Sequence, residues 1–192
     1  MTREYSPLPL SRLAPAARLP ETELLERVTL DDPAFSVLTD LTQVTPATIG
    51  PERSIDHANA MMLERRVRLL FVVGGDRFVS GVITATDLLG EKPMRFVQER
   101  GGTRSDVLVS DIMTPFERMD AIDMQDVAQM RVGHIVATLK SVRRQHLLAA
   151  DEGGRRLRGL FSTSRIAKQL GVELTTSDIA RTFAEIEAAL SH

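Results

Sequence analysis

A hydroxyl, a carboxylate and the start of a helix come together in Gly81-Val-Ile-Thr84-Ala-Thr-Asp87. An ionised Asp accepts hydrogen bonds on both oxygens, so Asp87 can take two hydroxyl donors, and a charged acceptor makes the stronger bonds. Thr84 adds a hydroxyl three residues earlier, and backbone N–H groups opening a helix there favour an anion. The same spacing equally suits a helix cap, because Thr and Asp side chains accept from the free N–H groups of a first turn. A second stretch, Gly159-Leu-Phe-Ser162-Thr-Ser-Arg165, repeats the pattern with an arginine where the first has Asp87. Arginine has five donors and no acceptor. Around that second stretch, Arg131 to Lys168 carries nine basic residues (Arg131, Lys140, Arg143, Arg144, Arg155, Arg156, Arg158, Arg165, Lys168) against Asp151 and Glu152. Clustered arginines can fork onto phosphates, although exposed hairpin arginines more often form a solvated face.

Other chemistries lack their residues. With no Cys among 192 residues there is no disulfide scaffold, thiolate nucleophile or Cys-based zinc site. His57, His134, His146 and His192 show no metal spacing, and Ser162 and Ser164 lie outside a Gly-x-Ser-x-Gly elbow. No carboxylate pair is evident, so the chain reads as non-enzymatic. Net charge is −2 and aromatics are 4%, which disfavours nucleic-acid binding and base-stacking platforms. The longest purely apolar run, Leu69 to Val73, is far short of the ~20 residues of a membrane span. With no secretory segment behind Met1, the sequence predicts a soluble cytoplasmic protein.

The elements that must hold these residues repeat. Leu69 to Asp87 and His146 to Arg165 each contain an apolar run, a Gly-Gly turn, a second apolar run through Gly81 or Gly159, and a hydroxyl-rich turn. The two glycines are 78 positions apart. Upstream, Thr45-Pro46 aligns with Thr114-Pro115 at a smaller offset, a difference assigned to a longer helix in the second unit. Each unit predicts a strand after its Thr-Pro (47–50; 116–121). A helix follows, on the stripes Ile55, Ala58, Met62, Leu69 and Ala128, Val132, Ile135, Leu139, Val142. A hairpin through Gly74-Gly75 or Gly153-Gly154 comes next. A closing helix ends the unit, running in the second from Thr163 to Leu170 with Gly171 as its cap. The fold class is α/β: tandem β-α-β-β-α repeats with pseudo-twofold symmetry.

The expected organisation is a Pro-rich N-terminal arm (1–34) with a short helix over 21–28, a first repeat and linker (35–104), a second repeat (105–172) and a C-terminal helix (173–192). That last helix presents Ile179, Phe183, Ile186 and Leu190 to the core or to a second subunit.

Val109-Ser-Asp-Ile-Met-Thr-Pro115 resembles the linker that opens a CBS (cystathionine-β-synthase) domain, and Gly81 to Asp87 resembles that family's Gly-h-h-Thr/Ser-x-x-Asp turn, where h is apolar. Twice and in order, the motifs resemble a stand-alone CBS pair, or Bateman module, over about residues 35 to 172. The resemblance implies a cytoplasmic regulatory homodimer that binds AMP, ADP or ATP between its repeats and needs no permanent cofactor or metal. It implies a cleft A in which Ile83, Thr84, Thr86 and Asp87 face Met119, Gln145 and His146, with Asp87 accepting from ribose. It implies a mirror-image cleft B in which Phe161, Ser162, Ser164 and Arg165 face Thr48, Ile49, Arg68 and Leu69. Arg165 cannot replace a ribose-binding carboxylate, so cleft B is expected to be weak or empty, or to use Arg165 for phosphate. The alternative is a ligand-free dimeric scaffold that docks a protein partner.

Overall fold

The computed structural model describes residues 26–75, 78–172, 183–186 and 188. Most of the N-terminal arm, the hairpin tip at 76–77 and most of the C-terminal helix lie outside those residues; of the helix expected over 21–28, residues 21–25 lie outside them and residues 26–28 are not helical.

Two four-stranded mixed sheets form the frame. In the first, β2 (Thr48–Ile49) runs parallel to β3 (Leu69–Val73), which pairs antiparallel with β4 (Val79–Thr84). In the second, β6 (Ala121–Asp123) runs parallel to β7 (His146–Asp151), which pairs antiparallel with β8 (Arg156–Ser162). The parallel pairs require a crossover helix, supplied by α1 (Ile55–Arg65) and α6 (Val132–Ser141). Each hairpin shifts register at the same place, between Val72 and Val73 and between Ala149 and Ala150. Helix α2 (Ala85–Leu89) closes the first repeat and α7 (Thr163–Leu170) the second. The second closing helix ends at Gly171, whose φ of 78° is the left-handed cap that glycine adopts without a Cβ penalty. The α/β class and the tandem β-α-β-β-α pattern are therefore as expected.

The linkers cross between sheets. β1 (Thr39–Asp40) pairs with β8 of the second repeat, and β5 (Thr114–Pro115) pairs with β4 of the first. Asp40 lies opposite Gly159 and Pro115 opposite Gly81, so the counterpart of Thr114-Pro115 is Thr39-Asp40. The expected match to Thr45-Pro46 is corrected, since that dipeptide lies in the loop before β2. Both glycines leave room for the crossing strand. A Cβ on Gly81 would strike the carbonyl oxygen of Thr114, and one on Gly159 would strike Leu38.

Other boundaries move as well. Phe116–Arg118 is a 3-10 turn, so the strand expected over 116–121 is displaced to β6, which begins only at Ala121. The second repeat's helix is not longer: α6 has 10 residues and α1 has 11. The extra length is a short turn of helix, α5 (Met124–Val127), which takes Ala128 out of the α6 stripe. Leu69 belongs to β3 and Val142 caps α6, exposed. The linker also forms α3 (Lys92–Arg100) and α4 (Val109–Ile112), for which no expectation was drawn.

Each repeat has its own core. Ile55, Leu70, Ile83 and Leu88 are fully buried in the first; Ile135, Leu139, Phe161 and Ile166 are nearly or fully buried in the second. Each such side chain contributes about 1.5–3 kcal/mol of transfer free energy. Phe183 and Ile186 pack into the second core, while Ile179 and Leu190 lie outside the described residues. A third apolar cluster, Leu69, Phe71, Val82 and Leu148 with Leu41 and Leu160 against it, joins the two sheets and forms the floor between two clefts. No helix among the described residues is long and apolar enough to cross a membrane.

Candidate functional site

The hydroxyl-rich turns stand at equivalent corners, where β4 runs into α2 and β8 into α7. The Ala85 N–H donates to the Arg68 carbonyl and the Thr163 N–H to the Gln145 carbonyl, each at 2.9 Å. Arg68 and Gln145 are thus structural counterparts, and they meet across the pseudo-twofold, Arg68 Nη2 donating to Gln145 Oε1 at 3.4 Å. Just upstream, Arg66 and Arg143 both adopt left-handed φ, 54° and 52°. Non-glycine residues pay for that conformation, which recurs at functional sites. Arg143 turns into cleft A and Arg66 into cleft B, so each repeat lends an arginine to the other repeat's turn.

Cleft A has a volume of about 190 Å³, lined on one side by Thr84, Thr86 and Asp87 and on the other by Met119, Gln145 and His146. Leu69, Val82 and Leu148 supply apolar surface. These six polar or soft residues are the ones the sequence nominates for this cleft. Ile83 is the exception: its side chain is fully buried in the first core.

Asp87 is 9% exposed and already well engaged. Its Oδ2 accepts from the Thr84 N–H at 2.8 Å and from Thr84 Oγ1 at 2.7 Å, while its own N–H donates to Thr84 Oγ1 at 3.3 Å. That is a complete capping box for α2. Its Oδ1 meets Lys92 Nζ at 2.6 Å, and Lys92 also donates to the Ile112 carbonyl at 3.0 Å. Both readings of the Thr-x-x-Asp spacing therefore coexist: Asp87 caps its helix and stands in the wall of a cleft. Thr86 Oγ1 reaches across to Gln145 Oε1 at 3.3 Å. Burial pushes the His146 imidazole down to about 4, Arg68 lowers it further and Asp87 opposes, so His146 is neutral at pH 7.

The mirror-image cleft B is larger, about 470 Å³. Arg68, Leu69, Ser162, Ser164 and Arg165 line it as nominated. The other nominees do not. Ile49 and Phe161 are buried in the two cores, and Thr48 is exposed outside the cleft, whose wall there is Thr45, Pro46 and Ala47. Arg66 and Lys168 complete the basic lining. The sequence did not point to Lys92, Asp120 or Arg66. The signal for Arg143, Arg144 and Lys168 was present in the basic run. Arg144 pairs with Asp120 at 3.3 Å on the rim of cleft A, and Arg158 pairs with Asp40 and Asp151 away from both clefts. Among the described residues no group of three or more His, Asp or Glu could hold a metal ion.

The CBS domain family model matches residues 38–93. No curated protein matches the chain. Of solved structures, an uncharacterised conserved protein from Pyrococcus horikoshii is 23% identical with a TM-score of 0.56, covering 78% of this chain and 100% of its own. CBSX2, a CBS-pair protein of Arabidopsis thaliana solved in complex with AMP, is 19% identical with a TM-score of 0.51, covering 72% and 94%. A CBS-domain containing protein from Agrobacterium tumefaciens is 22% identical with a TM-score of 0.51, covering 67% and 88%.

Proposed function

We propose, from the CBS domain family match over residues 38–93 and the fold shared with CBS-pair structures, that the chain is a non-catalytic regulatory module binding an adenine nucleotide in cleft A. CBS domains typically regulate. The observation that carries the ligand reading is the meeting of Thr84, Thr86 and Asp87 with Met119, Gln145 and His146 around one cleft. Asp87 is the acceptor for ribose hydroxyls, Arg143 and Arg144 supply cations for phosphate, and Met119 with the apolar floor receives the base. AMP in the similarly folded CBSX2 supports the choice of ligand. A ligand that bridges both repeats favours one relative orientation of them, which is how occupancy becomes a signal. Such a module works as a homodimer, with a protein partner reading the change.

Calorimetric titration with AMP, ADP and ATP tests this. The expected result is one nucleotide per chain, lost in Asp87→Ala and weakened several-fold in Thr86→Val. The second variant matters because Asp87 also caps α2, whereas Thr86 is exposed and does not. One observation favours the scaffold reading: Thr84 and Lys92 already satisfy both oxygens of Asp87. That reading prevails if no nucleotide shifts the melting temperature at high excess and a stoichiometric protein partner is captured instead.

A further inference from the structure

We propose that residues 91–106, in the linker between the repeats, form a strap latched onto the first repeat by Lys92, and that a ligand taking Asp87 releases it. The release rests on the reading of Asp87 as the ribose acceptor in cleft A; the latch itself does not.

The two closing helices differ in length. Helix α7 runs eight residues before Gly171, whereas α2 stops after five, at Gly90. The chain then turns into α3 and leaves it through Gly101 and Gly102, whose φ values of 80° and 88° suit glycine. Glycine therefore bounds α3 on both sides. The helix has nine residues, too few to persist on its own in water. Its packing is thin: Pro93 is buried, Phe96 and Val97 are half-buried, and Met94 is 67% exposed. An element with so little buried apolar surface opens more readily than the core beneath it.

Lys92 and Arg104 fasten this segment, and both reach α2. Lys92, the first residue of α3, places Nζ 2.6 Å from Asp87 Oδ1 and donates to the Ile112 carbonyl at 3.0 Å. Arg104, beyond the two glycines, donates from Nη2 to the Leu88 carbonyl at 3.0 Å, and its Nε lies 3.6 Å from Asp56 Oδ1. The Lys92 latch thus ends on the carboxylate that lines cleft A. Thr84 takes Asp87 Oδ2 with two donors. Oδ1 is then the oxygen a ligand hydroxyl must win, and Lys92 stands on it. Losing that charge-assisted bond unpins the first turn of α3. Arg104 keeps the far end tethered, so the helix loosens from its Lys92 end. The same ammonium bonds α4, two residues before β5, so its departure also uncouples α3 from the strand that crosses into the first sheet. Occupancy of cleft A becomes a change in the linker.

Hydrogen exchange of the full chain, read by mass spectrometry on peptides within 91–106, tests this. Lys92→Met without nucleotide is expected to speed exchange there by roughly two- to fivefold, matching the modest strength of a half-exposed ion pair. Saturating AMP on wild type is expected to speed the same peptides, against the slowing that a bound ligand imposes elsewhere. AMP should add nothing further in Lys92→Met, which has already lost the latch, and its full effect in Arg104→Gln, which keeps it. Unchanged exchange at 91–106 in Lys92→Met would overturn the latch. AMP bound at one per chain with exchange there unchanged or slower would overturn the release. Absence of AMP binding would overturn the nucleotide reading of cleft A and the release with it, while Lys92→Met would still decide the latch.

Discussion

Clefts A and B are built from equivalent parts and differ most at one position. In both, a strand ends in a hydroxyl residue, a helix begins, and the opposite repeat contributes a left-handed arginine and the residue after its helix. Where the first repeat has Asp87, the second has Arg165. Asp87 is fully hydrogen-bonded and neutralised by Lys92; Arg165 Nε is buried with no hydrogen-bond partner among the described residues. The scaffold therefore builds the same corner twice, while the third residue of the closing helix is an acceptor in one and a donor in the other. That is fold and function separating within a single chain.

The largest effect should come from removing that difference. Arg165→Asp gives cleft B the residue of cleft A, exchanging a cation for an anion among three remaining cations. With the acceptor restored, a second AMP per chain is expected to bind, so the calorimetric stoichiometry should rise from one toward two. A stoichiometry that stays at one would mean that the two clefts do not differ for the reason given.

Acid should act on the wall the clefts share, because His146 lines both. Its imidazole titrates at about 4 in the folded chain and near 6.5 when unfolded. Between those values the unfolded chain binds the extra proton, so stability is full above pH 6.5, falls as pH drops toward 4, and falls no further from this group below that. The loss is at most about 3 kcal/mol, less to the extent that water reaches the ring. Urea unfolding from pH 7 to 4 should show the decline, and His146→Gln should flatten it. A wild-type profile already flat over that window would count against the buried neutral histidine. The carboxylates of Asp32, Asp40 and Asp106 are held below their ordinary value mainly by bonds from Thr29, Thr42 and Thr103, and lose that stabilisation only below about pH 3.8.

The paired glycines separate the two repeats by a smaller margin. Gly81→Ala drives a methyl into the Thr114 carbonyl, so strand β5 must shift; Gly159→Ala meets only the end of the Leu38 side chain. Costs of about 3 and about 1 kcal/mol are expected. Equal denaturation midpoints for the two variants would contradict this reading of the crossed linkers.

The smallest effect concerns Lys92. Its ammonium occupies Asp87 Oδ1, so a ribose must displace it. Lys92→Met should tighten AMP binding by roughly two- to fivefold, within the modest worth of a half-exposed ion pair. Weaker AMP binding in this variant would place Lys92 among the groups that hold the nucleotide.

Much of this architecture was legible because it is local and repeated. The hairpins, the Gly171 cap and the Thr-x-x-Asp corner each follow from a few adjacent residues, and seeing them twice fixed the order of elements. The crossed linkers were not legible. Thr39-Asp40 carries no side-chain pattern resembling Thr114-Pro115, and only hydrogen bonding to a distant strand makes them equivalent. Cleft lining was legible where residues sit at the turns, as with Thr84, Thr86, Asp87 and Arg165. It failed for Ile83, Ile49 and Phe161, because alternation on a strand sends every second side chain into the core and the phase depends on bulges no spacing reveals. Lys92 and Arg66 were missed for a related reason, since their roles rest on helix ends in the neighbouring element.

The most direct test of the difference between these equivalent clefts is one set of calorimetric titrations: AMP against wild type, Asp87→Ala and Arg165→Gln. AMP binding is expected at one per chain in wild type, lost in Asp87→Ala and unchanged in Arg165→Gln. AMP binding lost in Arg165→Gln while the chain stays folded, retained in Asp87→Ala, or absent from wild type would contradict the account.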